Sequence, residues 1–397
     1  MIELTLCVLL IILISFGLLE KYYHKVALSY LPIRIHINGS RGKSSVTRLV
    51  AAGLREGGIK TLGKTTGTAP RIIDECGKDK IIHRLRSASI GEQMSLLRAF
   101  AKKKPDAIVI ECMAVNPQYQ WISEHEMINS TLSVITNIRP DHLDEMGITL
   151  EDNAMSLSNT IPYHGRFVTV LPNNSDNSLN QKLLNKLEKI SNERDTEYIQ
   201  ASYNDISLDF MEKFSYLEHQ DNVALALKVC QLSGVQKEIA LRGMLKAQPD
   251  PGATLIWKLK CGKKFNFFIN LLAANDPSST LHAYNILSTR IQNSPICIFI
   301  NTRQDRRYRT NQLLSLVYNV IKPEMLIIRG ENLPSTIHKY KKETPNIIFC
   351  QLPNNINIDD IMFEFSKIEK YYIIGIGNMV GWGEQFIKDL KRFKYDK

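Results

Sequence analysis

The chain has no CxxC pair. Its seven cysteines, Cys7, Cys76, Cys112, Cys230, Cys261, Cys297 and Cys350, are scattered and odd in number, several of them in apolar stretches. That pattern argues against a disulfide framework or a cysteine metal cage. It fits a reducing compartment, where cysteine serves as a small hydrophobe. Also missing are a zinc-finger pattern, an RRM-type aromatic motif and a long basic run, so no nucleic-acid partner is expected. There is no internal repeat and no long low-complexity segment. With 44% hydrophobic and 23% charged residues over 397 positions, the composition is that of a globular chain with room for two domains. The formal charge of +10 is compatible with anionic lipid, a nucleotide or an acidic polymer.

Charge is absent altogether from Leu4 to Leu19, LTLCVLLIILISFGLL, until Glu20-Lys21 ends the run. As helix this run covers about 24 Å, short against a hydrocarbon core of roughly 30 Å. Adding Met1 to Glu3 and the flanking Tyr22 and Tyr23 makes a single span, with aromatics at the interface. A signal peptide or a buried core helix can also be apolar over this length, but neither a basic start nor a small-residue cleavage site is present. Lys21, Lys25 and Arg34 follow the run and put the main body in the cytoplasm. Residues 1–30 are therefore expected to be a membrane anchor and connector, in a bacterial cell membrane.

Beyond Leu31-Pro32 short apolar runs alternate with helix-length pieces, which suits an α/β chain with doubly covered strands. The first series has strand candidates Ile33–Asn38, Ala107–Glu111, Leu132–Asn137 and Phe167–Leu171. Val46, Leu49, Val50 and Leu54 fall at helical spacing, and Gly57-Gly58 stops that helix. A turn-rich boundary, Asp250-Pro251-Gly252, separates residues 31–252 from 253–397. The second series has Phe267–Ala274, Ile296–Asn301, Leu326–Ile328, Ile347–Cys350 and Tyr371–Ile376, the pattern of a Rossmann-like domain.

Between the first strand and its helix stands Asn38-Gly39-Ser40-Arg41-Gly42-Lys43-Ser44-Ser45. The glycines let backbone N–H groups turn around phosphate oxygens, Lys43 supplies charge, and Ser44 can ligate Mg2+. The usual earlier glycine is replaced by Ile37, so the loop is a shortened GxxGKS. An ordinary glycine turn is the bland alternative, and the strand–loop–helix context favours phosphate. Lys64-Thr65-Thr66-Gly67-Thr68 clusters hydroxyls and small residues that could close over a triphosphate. The Ile108–Ile110 strand ends in Glu111, a position from which a carboxylate can hold Mg2+. Thr136-Asn137-Ile138-Arg139-Pro140-Asp141-His142-Leu143-Asp144 offers an imidazole and carboxylates at the same sheet edge. Taken singly, Glu111 or His142 could be an ordinary strand-end polar residue.

In that order, GSRGKSS, KTTGT, the Glu111 strand and TNIRPDHLD resemble the central domain of the Mur ligase and folylpolyglutamate synthase superfamily. His219-Gln220-Asp221-Asn222 resembles its adenine-contacting segment. Ala274-Asn275-Asp276-Pro277 resembles the start of its mobile carboxy-terminal domain. The chain is most similar to the ligase subunit of poly-γ-glutamate synthase, through the anchor, Glu111-Cys112-Met113-Ala114-Val115-Asn116-Pro117, Pro249-Asp250-Pro251-Gly252-Ala253, Asn301 with Asp305-Arg306, and Gly375-Ile376-Gly377-Asn378. Two features depart from many relatives. No lysine lies between Glu151 and Gly165, with Leu157 near the place where a carbamylated lysine bridges a second metal. Asn275 replaces a histidine.

The resemblance implies a Mur-ligase-like central ATP-binding domain and a Rossmann-like carboxy-terminal domain. It implies ATP and Mg2+ as cofactors, and γ-glutamyl amide formation through an acyl phosphate. Lys43, Glu111 and His142 would be catalytic, and Ser44, Thr66, Glu111 and His142 would serve the metal. The loop residues Asn38 to Ser45, with Thr65, Thr66, His219, Asn222, Asn275 and Asp276, would bind the nucleotide. Glutamate and growing poly-γ-glutamate would be substrates, with integral-membrane subunits completing a synthase and export complex. The arginine cluster Arg303, Arg306, Arg307 and Arg309 matches a carboxylate-rich polymer, although a solvated loop would have the same composition. Arg71, Arg84 and Arg86 are weaker candidates. A Mur- or folylpolyglutamate-like ligase with another acceptor, and a membrane-bound ATP-binding regulator, remain alternatives.

Overall fold

The computed structural model describes all residues except 1, 67–69, 83–90, 140–141, 171–176, 250–254, 273–276, 289–290, 292–293, 304–306, 331–332, 334–335, 380 and 396–397. The chain divides into two compact units: unit 1 holds Met1–Phe214 with Glu218–Gly252, and unit 2 holds Ser215–Leu217 with Ala253–Lys397.

Unit 1 carries strands β1 (Ile33–Asn38), β2 (Thr61–Thr65), β3 (Arg71–Ile73), β4 (Asp79–Ile81), β5 (Ala107–Glu111), β6 (Leu132–Ile135), β7 (Arg166–Val170) and β8 (Glu197–Ala201). They form one sheet in the order β4-β3-β2-β5-β1-β6-β7-β8. Pairing is parallel from β2 to β8 and antiparallel at β3 and β4. β1 lies inside the sheet, so its exit, where the glycine loop begins, opens among the ends of several parallel strands. The run expected over Leu132–Asn137 stops at Ile135, because Thr136 and Asn137 turn away to bond the glycine loop. Nothing in the sequence marked β2, β3, β4 or β8. β2 mixes Lys64 and threonines into a buried strand, and β8 is a half-polar edge.

Helix α1 (Ile2–Ser29) runs unbroken where a connector was expected. Next come α2 (Lys43–Glu56), α3 (Gly91–Lys102), and α4 (Pro117–Ile122), which continues as a π-helical turn over Ser123–Ile128. α5 (Leu143–Met146), α6 (Leu150–Ser158), α7 (Asn177–Glu193), α8 (Leu208–Met211), α9 (Gln220–Leu232) and α10 (Lys237–Leu245) complete the unit. α2 buries Val46, Leu49, Val50 and Leu54 and is capped by Gly57. Gly53 lets α9 and α10 come close: a Cβ there would stand 2.7 Å from Cys230 Sγ. Leu157 on α6 is buried with Ile135, Met146 and Phe167, so an apolar cluster fills the position at which relatives carry lysine.

Unit 2 carries β9 (Ile256–Cys261), β10 (Lys264–Asn270), β11 (Ile296–Asn301), β12 (Met325–Arg329), β13 (Ile348–Leu352) and β14 (Tyr372–Gly377), in the order β13-β12-β11-β14-β10-β9. All are parallel except β9, which forms a hairpin with β10. The strand expected to reach Ala274 ends at Asn270, whose side chain accepts the Leu272 N–H and so starts the turn. Helices α11 (Pro277–Ser288), α12 (Arg307–Leu316), α13 (Thr336–Glu343), α14 (Ile358–Ser366) and α15 (Trp382–Leu390) connect the strands. Two apolar clusters fill the unit. Ile298, Ile300, Leu326 and Ile374 belong to one, and Phe268, Phe299, Phe365 and Phe386 to the other. Strands buried on both faces explain the near-continuous apolar runs.

Candidate active site

The glycine loop takes a shape that only its glycines permit. Gly39 has φ 131° and Gly42 has φ 83°, both in the left-handed region. A Cβ on Gly39 would stand 2.1 Å from Thr136 Oγ1, and one on Gly42 would stand 2.7 Å from Asn222 Oδ1. The loop is therefore packed against the β6 exit on one side and the start of α9 on the other. Asn38, buried at the end of β1, accepts the Gly39 N–H at 2.8 Å and donates to Gln120 Oε1 and Thr160 Oγ1. Gln120 is in turn fixed to Val115 O and Ser156 Oγ.

Thr136 to Arg139 clamp the loop from the other strand. Ser40 N–H donates to Asn137 O at 3.1 Å. Asn137 accepts the Arg41 N–H and donates to Arg41 O, while Thr136 Oγ1 donates to the same carbonyl at 2.6 Å. Ser40 Oγ donates to Arg139 O and accepts the Arg139 N–H. These clamp residues lie in the TNIR motif, yet the sequence did not assign them to holding the loop. Their signal was the pair of short polar side chains directly after an apolar strand.

Lys43 opens α2, and its ammonium folds back onto Gly39 O at 2.6 Å and Ser40 O at 3.3 Å, which keeps a positive charge in the bend. Ser44 Oγ donates to Glu111 Oε2 at 2.9 Å, and the Thr66 N–H donates to the same oxygen at 2.7 Å. The parallel pairing β2–β5–β1 brings these three chain ends together. Burial pushes the Glu111 carboxyl above its ordinary value, and its bonds to Thr66 and Ser44 offset this only in part. A carboxylate oxygen beside a serine hydroxyl, at the mouth of a backbone N–H turn, is a hard-oxygen donor set that fits Mg2+ on a nucleotide phosphate. Among the described residues no group of three His, Cys, Asp or Glu side chains forms a metal cage, so phosphate oxygens and water would have to complete such a shell.

Asn222, on the first turn of α9, is buried against Gly42 and donates to Glu218 Oε1 at 2.8 Å. His219 caps the same helix and is exposed. Thr65 is buried at the end of β2, and Ser45 lies in the first turn of α2. His142 stands at the start of α5 with left-handed φ 46°, exposed, and the described bonds of Glu111 run to Ser44 and Thr66 rather than to it. Asn275, Asp276 and Arg306 lie outside the described residues, as do Arg84 and Arg86.

In unit 2, Arg303 and Arg309 line one shallow recess of about 20 Å3 with Asn301, Thr302 and Asn378, while Arg307 is exposed on α12. Arg329 was missed in the sequence. It is buried at the end of β12, donates to Asn301 Oδ1 at 2.9 Å, and lies 3.9 Å from the centre of the Trp382 ring. Asn301 donates onward to Asn378 O at 2.6 Å. A wider cavity of about 440 Å3 opens at the opposite end of the unit 1 strands, among Arg34, Thr131, Tyr163 and Arg166. It contains none of the expected site residues.

Residues 37–245 match the Mur ligase middle domain family, and residues 256–393 match the poly-gamma-glutamate synthase CapB C-terminal domain. The chain is 38% identical over 384 residues to the capsule biosynthesis protein CapB of Bacillus anthracis, covering 95% of this chain and 80% of that one. It is 36% identical over 388 residues to the PGA synthase CapB of Bacillus subtilis (strain 168), covering 96% of each. Among solved structures it is similar to E. coli FolC in complex with ADP, at 13% identity and a TM-score of 0.51, over 93% of this chain and 92% of that one. At that identity the likeness speaks for the fold. The architecture is a Mur ligase and FolC-like α/β fold with an N-terminal apolar helix.

Proposed function

The chain belongs to the CapB poly-γ-glutamate synthase family within the Mur ligases and is an ATP-dependent ligase; from that premise we propose that it forms γ-glutamyl amide bonds in poly-γ-glutamate at the Ser44–Glu111 edge of unit 1. A γ-carboxylate oxygen attacks the γ-phosphorus of ATP, the bond to the ADP oxygen breaks, and an acyl phosphate forms. The amino nitrogen of the next residue then attacks that carbonyl, loses a proton, and phosphate leaves. Phosphorylation turns a carboxylate oxygen into a good leaving group. The chain's task is placement and charge neutralisation. The N–H groups from Gly39 to Ser44 would cradle the phosphates, and Lys43 would counter their charge. Ser44 and Glu111 would hold Mg2+, which bridges the phosphate oxygens when bound, and His142 would act near the γ-phosphate. Asn222, His219, Thr65 and Thr66, with Asn275 and Asp276, would complete the nucleotide site. Arg303, Arg306, Arg307 and Arg309 would contact the polymer's carboxylates.

The observation that carries this reading is the meeting of Ser44 Oγ, Glu111 Oε2 and the Thr66 N–H beside the glycine turn. α1 is apolar enough to cross a membrane. It would anchor the enzyme with both units in the cytoplasm, alongside integral-membrane subunits that export the polymer. The test is to incubate membranes with ATP, Mg2+ and labelled glutamate. Glutamate-dependent ADP release with γ-linked product is expected. ATP binding without glutamate-dependent turnover would point to a regulator, and turnover with only another acceptor to a different ligase.

A further inference from the structure

α1 does not end where its apolar run ends. Ala27, Leu28 and Leu31 join Leu97, Phe100 and Ile128 in one buried cluster of unit 1. His24, 3% exposed, lies with Nε2 2.6 Å from Met127 O, so that nitrogen carries the proton and donates. Ion pairs Lys21–Glu126 at 3.2 Å and Arg98–Glu20 at 2.8 Å flank it. The stretch between the apolar run and the sheet is therefore fixed against the domain.

The order of these contacts gives a direction. Glu20 meets Arg98, and further along α1 Tyr30 meets Lys104, whose ammonium is 5.9 Å from its ring centre. Both sets advance together, so α1 runs in the same sense as α3. The pairs Lys21–Glu126 and His24–Met127 give the same sense against Ser123–Ile128. α3 ends at Lys102, just before β5 starts, and Ser123–Ile128 ends just before β6 starts. Both thus finish at the amino edge of the parallel strands, and α1 finishes there with them. Followed backwards from Leu31, α1 climbs from the amino edge toward the carboxyl edge. From Ser29 to Glu20 it rises about 14 Å, and β1 rises about 17 Å from Ile33 to Asn38. Glu20, the charge that closes the apolar run, comes to roughly the height of the glycine loop. Tyr22 and Tyr23, 62% and 61% exposed, stand at the same level, where an aromatic belt would meet lipid headgroups.

We infer that the carboxyl edge of unit 1, with its glycine loop and Glu111, faces the bilayer surface, and that the amino edge, with Arg34, Thr131 and Arg166, faces away from it. This rests on α1 being a membrane anchor. The surface so presented takes lipid headgroups as its partner, and a polyanion made there starts its path at the membrane rather than in bulk cytoplasm.

The test uses the full chain in phospholipid vesicles whose headgroups carry a fluorescence acceptor. With Cys7 and Cys76 changed to serine, a donor dye is attached at Gln118→Cys, exposed near the carboxyl edge, or at Asn192→Cys, exposed near the amino edge. The dye at 118 should be quenched several-fold more than the dye at 192. A flexible ten-residue insert between Leu19 and Glu20 should remove that difference while the chain still floats with the vesicles. Equal or inverted quenching in a chain that floats with vesicles overturns the orientation alone. A chain that does not float overturns the anchor and the orientation with it.

Discussion

Both units close a set of parallel strands with buried polar side chains, but with opposite charge. Unit 1 places a carboxylate, Glu111, beside a glycine turn at the head of a helix. Unit 2 places a guanidinium, Arg329, between Asn301 and the Trp382 ring. The first arrangement suits a cation and phosphates: bare N–H groups attract anionic oxygens, and the acid holds the metal between them. The second suits carboxylates, because a guanidinium stacked on an indole is pre-oriented for forked hydrogen bonds. Similar strand architecture thus supports two unrelated chemistries, decided by the few residues after each strand.

The sharpest way to break this contrast is Glu111→Gln. It keeps the size and hydrogen bonds of the side chain and removes the charge. Turnover should fall at least about 100-fold while nucleotide affinity changes little, measured by ADP release and equilibrium binding over a range of Mg2+. Near-parental turnover would reduce Glu111 to a structural acid.

Gly42→Ala comes next. A methyl group at φ 83° collides with Asn222, and left-handed strain adds roughly 1–2 kcal/mol. ATP affinity should drop about 10-fold or more, with glutamate affinity unaffected. Calorimetric titration with ATP decides it, and unchanged affinity would mean the loop does not cradle phosphate.

In unit 2, Arg303→Ala with Arg309→Ala should raise the KM for glutamate acceptors by several-fold to about 10-fold, the scale of one charged hydrogen bond, and leave the KM for ATP alone. Equal changes in both constants would erase the division of labour between the two edges.

The smallest effect separates the buried charges. His36 Nδ1 lies 2.7 Å from Glu124 Oε2, both side chains buried. Burial alone would lower the imidazole, but Cys112 and Glu124 overcome it and raise it to about 9. The stabilisation is full below pH 6.5, the ordinary value, and is lost as pH climbs through about 9. On the order of 2–3 kcal/mol is at stake. Arg329 does not titrate in this range, so melting curves from pH 6 to 10 should show unit 1 weakening first. A His36→Gln variant should flatten that dependence, and an unchanged slope would assign it elsewhere.

The glycine loop, the Glu111 strand and both strand series were legible because each rests on local signals: glycines between a strand and a helix, and apolar runs of strand length. β2 and β3 were not, because Lys64 and Arg71 interrupt the apolar pattern and burial depends on partners far along the chain. Lys64 is fully buried with Glu92 Oε1 3.5 Å away, an arrangement that spacing alone does not announce. Arg329 was hidden for the same reason: a basic residue after a strand usually reads as solvated, and the Trp382 ring that covers it comes much later in sequence. The continuation of α1 past its apolar run was invisible too, since Glu20 to Lys25 is polar on its own and becomes an interface only against α3 and α4.

The clamp between the glycine loop and the Thr136–Arg139 segment has a bearing on how this chain could be recombined. Hydrogen bonds between positions separated by 95 to 99 residues hold the loop in shape. A graft that brought in only the loop and its helix from a relative would arrive without the hydroxyl and amide that fit it. A working exchange would have to move the two segments together, and random drift at Thr136 would be tolerated only where position 39 stays without a side chain.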